Sequence, residues 1–165
     1  MELVVMRITL GLFGLALPAA ALAQTAPAAC PAPVMAEGVL VTWNSPAALT
    51  GSELPVGQAA RVNLFPTPEV RYAAPQERPA DDASFGGVFT VTISTPGNYR
   101  VALGTRGWID VVSAGSIITS SAHGHGPECT GIRKMVDFPL TPGTYTIQIA
   151  GSPEPDTTVL VARLT

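Results

Sequence analysis

Charge is scarce in this chain. Only 13% of its 165 residues are Asp, Glu, Lys or Arg, the net charge is −3, and Lys134 is the one lysine. So sparse and mildly acidic a composition carries no basic footprint for nucleic acid or for an anionic lipid surface. Histidine is confined to His123 and His125, and cysteine to Cys30 and Cys129. No G-x-S-x-G elbow occurs, which argues against a serine hydrolase of that type. No glycine loop leads into a helix, so nucleotide phosphates have no cradle. Capped stripes of period 3.6 are absent, which leaves the chain short of helices. Beyond the N-terminal segment no second long apolar run follows, so no further membrane span is expected.

What is present begins with an export signal. Glu2 and Arg7 precede the apolar run Ile8 to Leu17, followed by Pro18 and the small-residue end Ala21-Leu22-Ala23. This pattern predicts a signal peptide over residues 1–23, with Gln24 as the first mature residue and a periplasmic or secreted product. Its removal takes away one acid and one base, so the charge is unchanged. Residues 24–37, rich in Ala and Pro, read as an extended lead-in. Residues 38–165 read as one domain. In an exported chain two cysteines predict one disulfide, Cys30–Cys129, closing a loop of about 100 residues. Lipidation of Cys30 is the rival reading, but Pro27-Ala28-Ala29 lacks the Leu three residues before the cysteine.

From residue 38 onward the dominant period is two. Gly38–Trp43, Ala60–Phe65 and a short Glu69–Tyr72 are strand candidates, with loops over 44–57 and 73–84. Val88–Ser94 puts Phe89, Val91 and Ile93 on one face and Thr90, Thr92 and Ser94 on the other. Tyr99, Val101 and Leu103 repeat the pattern, as do Val136, Phe138 and Leu140, and then Tyr145, Ile147 and Ile149. Trp108–Val112 reads as buried on both faces except at Asp110. Ser116–Thr119 and Thr157–Leu164 complete the set. About nine short strands with frequent Gly and Pro turns predict an all-β fold, an antiparallel β-sandwich or jelly roll.

One internal echo stands out. Thr95-Pro-Gly-Asn-Tyr-Arg-Val101 matches Thr141-Pro-Gly-Thr-Tyr-Thr-Ile147. Proline sets φ at the second turn position, and the glycine accepts the positive φ of a type II turn, so each copy reads as a hairpin. Strand, T-P-G-x-Y, strand resembles the hairpins of pre-peptidase C-terminal type modules, small β-sandwiches of exported bacterial proteins. That resemblance implies attachment or ligand contact and brings no catalytic residues. The runs GNYRVALGTRGWIDVV and AHGHGPECTGIRKMVDFPLTPGTYTIQIAG together resemble a group of small exported Gram-negative proteins named homogentisate 1,2-dioxygenase. The name implies a non-haem iron dioxygenase.

His123-Gly-His125 is where such chemistry would sit. Histidines at i and i+2 point the same way from an extended backbone, and Glu128 can complete a facial set of two histidines and one carboxylate for iron. Zinc or copper are alternatives, with Cys129 as a further ligand if its thiolate is free. The cupin pattern is not met, because only Gly126 and Pro127 separate His125 from Glu128 and there is no third histidine. Ser120, Ser121, His123 and Asp110 outline a hydrolase set in sequence only. Trp108 is a core residue or a wall for a sugar ring. Arg133 and Lys134 bind an anionic ligand beside His125, or pair with Asp137 or Glu128. The favoured expectation is a disulfide-bonded envelope protein that binds a metal ion, a glycan or another protein. His123, His125, Arg133, Lys134 and Trp108 are then its contacts. The alternative is a metal-dependent dioxygenase using His123, His125 and Glu128.

Overall fold

The computed structural model of the protein describes residues 30–76 and 78–165. The expected signal peptide over residues 1–23 and the start of the expected lead-in, residues 24–29, lie outside the described residues. The described residues form a two-sheet β-sandwich of eleven strands. In chain order they are β1 (Ala47–Ala48), β2 (Ala60–Asn63), β3 (Phe65–Pro66), β4 (Phe85–Ile93), β5 (Gly97–Leu103) and β6 (Trp108–Ser113). There follow β7 (Ser116–Ile117), β8 (Ala122–Gly124), β9 (Lys134–Leu140), β10 (Gly143–Ser152) and β11 (Asp156–Arg163). One sheet runs β1-β2-β11-β5-β9-β8 and the other β3-β4-β10-β6-β7. All strand pairs are antiparallel except β1 with β2.

Period two builds the core. Phe89, Val91 and Ile93 from β4, Tyr145, Ile147 and Ile149 from β10, and Ile109 and Val111 from β6 face Tyr99, Val101, Leu103, Val136, Phe138, Leu140, Val159 and Val161 of the other sheet. Burying such side chains is worth about 1.5–3 kcal/mol each, the main force holding the sheets together. The loop over 52–57 closes one side: Leu54 N donates to the Thr90 carbonyl, Thr90 N donates to the Ser52 carbonyl, and the Leu54 side chain is buried in the core. The opposite side is bordered by the short strands β7 and β8 and stays more open.

The two T-P-G segments depart from the expected hairpins. Each carries the chain from one sheet to the other, so β4 pairs with β10 and β5 with β9. Gly97 does not take a positive φ. It leaves room for the Arg163 guanidinium, whose Nε lies 3.0 Å from where a Cβ would stand. The tyrosine pins each arch instead. Tyr99 Oη donates to the Thr95 carbonyl at 2.6 Å, and Tyr145 Oη donates to the Thr141 carbonyl at 3.0 Å while accepting from Thr141 N at 3.2 Å. These are tyrosine corners in the sense known from sandwich folds.

Three further expectations are corrected. Gly38–Asn44 is a 3₁₀ helix, not a strand. Leu40 and Trp43, three residues apart, fall on one side of a three-residue turn and bury against Ala102, Leu160 and Ala162 on the outer face of the first sheet. Asn44 closes that turn through Ala36 and Val41. Glu69–Tyr72 is not a strand either; the 3₁₀ turn Thr67–Glu69 precedes coil. Asp110, expected at the surface, is 3% exposed.

Candidate functional site

The arches stand at one end of the sandwich. At the other, the starts of β6 and β9 meet the end of β10, and Trp108 marks the spot. Its ring is half-buried, and its Nε1 donates to Asp110 Oδ1 at 2.9 Å. The other Asp110 oxygen accepts from Gln148 Nε2 at 3.0 Å. Gln148 Oε1 in turn accepts from Ala73 N and Ala74 N, and Nε2 also donates to the Ala74 carbonyl. Every donor and acceptor of this buried amide is used. The network fixes the indole from below and straps the proline-rich loop over 70–84 across the outer face of the second sheet.

Two cations cover the ring. Lys134 Nζ lies 4.6 Å and Arg78 Cζ 5.6 Å from its centroid, distances at which the electron-rich face attracts positive charge. A cleft of about 410 Å³ opens beside it, lined by Trp108, Arg78, Arg106, Arg133, Lys134 and His125, and also by Asp81. A second cleft, about 260 Å³, runs between the sheets at their open side. Ile117, Ile118, Val136 and Phe138 line it, with His123, Ser120 and Lys134 at its polar end.

The two histidines therefore part company. His123 lies on edge strand β8 opposite Val136 and lines the inter-sheet cleft. His125 lies past the strand end, where its Nδ1 is 3.0 Å from the Arg133 carbonyl oxygen, and it lines the basic cleft. Glu128 sits on a third, open groove with His125 and Cys129. Extended geometry at i and i+2 fails because β8 ends at Gly124. Among the described residues no three His, Cys, Asp or Glu side chains are gathered closely enough to hold a metal ion. The sequence-expected set of His123, His125 and Glu128 is not assembled in this geometry, and Cys129 has no free thiolate to join it.

The loop over 124–134 is firmly held. Cys129 is bridged to Cys30, with Cα atoms 5.5 Å apart and a sequence separation of 99. Val34 N donates to the Cys129 carbonyl at 2.9 Å, and Trp43 Nε1 to the Thr130 carbonyl at 3.1 Å. Ile132 is buried with Leu40 and Trp43, and Gly126 packs so tightly on Ile132 that any side chain there would collide with it.

Ser120, His123 and Asp110 all line the inter-sheet cleft, but among the described residues no hydrogen bond joins them. Both Asp110 oxygens are engaged as above, and Ser121 Oγ donates to the Asp137 carbonyl. Asp137 is not the partner of Arg133 or Lys134. It takes a bidentate pair from Arg100 directly across the ladder, at 2.8 Å on both oxygens, and this bond raises the Arg100 pKa. Of the residues singled out from sequence, Trp108, His125, Arg133 and Lys134 do share one cleft. Arg78, Arg106 and the Asp110–Gln148 network were missed. Their only one-dimensional mark is a cation or amide beside turn formers or within an apolar strand. Comparison with protein-family models and with curated proteins finds no match to the chain.

Proposed function

We propose that the chain is an exported envelope protein that binds a ligand at the Trp108 end of its sandwich and does not turn it over. The observation that carries this is the convergence of recognition groups on one fixed indole. Four cations and an imidazole line the cleft, and no nucleophile–base pair accompanies them among the described residues. The disulfide supports an oxidising compartment, in keeping with the export signal. No described helix is long and apolar enough to cross a membrane. A dioxygenase would need His123, His125 and Glu128 on one ion, and the placement of His123 in a different cleft from the groove that His125 and Glu128 share counts against it.

Metal analysis of protein purified from the periplasm without a histidine tag tests this reading. Substoichiometric metal, and a melting temperature unchanged by a chelator, are expected. Stoichiometric iron that is lost in His123→Ala, together with oxygen uptake, would replace the binding reading with the oxygenase.

A further inference from the structure

Nine basic side chains serve a chain whose net charge is −3, yet four of them, Arg78, Arg106, Arg133 and Lys134, line a single cleft of about 410 Å³. They reach it from three separate segments: the loop before β4, the turn between β5 and β6, and the start of β9. The one carboxylate among the described residues that line the same space is Asp81. Among the described residues the only ion pair is Arg100–Asp137, so none of the four cations has one. Four cations against one described carboxylate leave the cleft with an excess of positive charge, and clefts lined mainly by one sign concentrate ligands of the opposite sign.

Resting on the binding reading above, we infer that this cleft takes a small molecule bearing two or more oxyanion groups, carboxylate or phosphate. Three guanidinium forks can each grip such a group through two parallel N–H bonds, a match a lone ammonium cannot make. The volume suits a small molecule, since pockets of this kind span roughly 300–1,000 Å³. The indole supplies a flat wall held in place by Asp110, and the four cations are themselves spread around the cavity. A polyanion lying across the surface would not need its charges gathered in a concavity.

Titration calorimetry on the mature chain at low salt, with tryptophan emission as a second readout, provides the test. Citrate and pyrophosphate are the anionic probes and trehalose the neutral one. At least one anion is expected to bind with Kd below about 1 mM, and the tighter of the two identifies the oxyanion type. Arg106→Gln and Arg133→Gln should each weaken it about tenfold or more, whereas Arg61→Gln, an exposed side chain of β2 outside the cleft, should not. Absence of binding by both anions overturns the inference, as does equal weakening by all three substitutions, which would mean diffuse surface charge. Trehalose binding without anion binding also overturns it but leaves the binding reading intact. Only the iron and oxygen-uptake outcome described above removes that reading.

Discussion

The three tyrosines occupy three different polar settings, and their hydroxyls should report it. Tyr145 Oη both donates to and accepts from the Thr141 backbone, Tyr99 Oη makes one short bond, and Tyr72 Oη is buried with no partner among the described residues. Burial pushes the Tyr72 pKa upward, and the Thr67 and Gln76 side chains that would lower it do not reach hydrogen-bond geometry. Urea denaturation should rank the substitutions accordingly. Tyr145→Phe is expected to cost about 1–2 kcal/mol and Tyr99→Phe about 1, with Tyr72→Phe neutral or stabilising. A loss at Tyr72 equal to that at Tyr145 would mean the corner bonds carry no special weight. Residue identity was legible here only halfway. The T-P-G-x-Y echo announced two equivalent turns, but period two tells which face is apolar and not which strand lies alongside. The crossing between sheets therefore stayed hidden.

Among the elements, the strap over 70–84 depends on Gln148. This amide, 1% exposed, joins Ala73 and Ala74 of the strap to Asp110 beneath Trp108. Gln148→Met removes all of these bonds at nearly constant volume. About 2 kcal/mol of stability should go with them, since buried amides are left unpaired. Hydrogen exchange at Ala73 and Ala74 should accelerate well before the core strands respond, and Trp108 emission should shift. Uniform acceleration across the sandwich would mean that the strap is not a separate unit. Strands β4, β5, β9 and β10 were readable from alternation because each has one core-facing row, whereas β6 was readable as an apolar run buried on both faces. The 3₁₀ helix was not, because Val39, Val41 and Thr42 suggest a strand while the deciding spacing is the Leu40–Trp43 pair. Four of the residues now at the basic cleft stood out in sequence through rarity or adjacency. Arg78 and Arg106 did not, since nothing along the chain brings them to Trp108.

At the scale of the whole molecule, the central core does not include the bridge. Cys30 and Cys129 fasten the lead-in and the histidine loop to the outer face of the first sheet, where Leu40, Trp43 and Ile132 form their own apolar cluster. Reductant, or Cys30→Ser, should therefore lower the melting temperature without abolishing folding. The chain-entropy ceiling is ~4.7 kcal/mol for a loop near 100 residues, so a fall of several degrees is expected. Complete loss of the folded state in calorimetry would assign the bridge a larger part than its peripheral position implies.

Position along the chain also gives that bridge a schedule. Cys30 comes 99 residues ahead of its partner, so on the proposed export route its thiol would emerge early and wait, exposed, while most of the strands follow. The oxidising machinery meets a lone sulfur first. Native closure becomes available only after β8 has cleared the membrane, and pulse-labelled export intermediates halted before Cys129 should still carry an alkylatable Cys30.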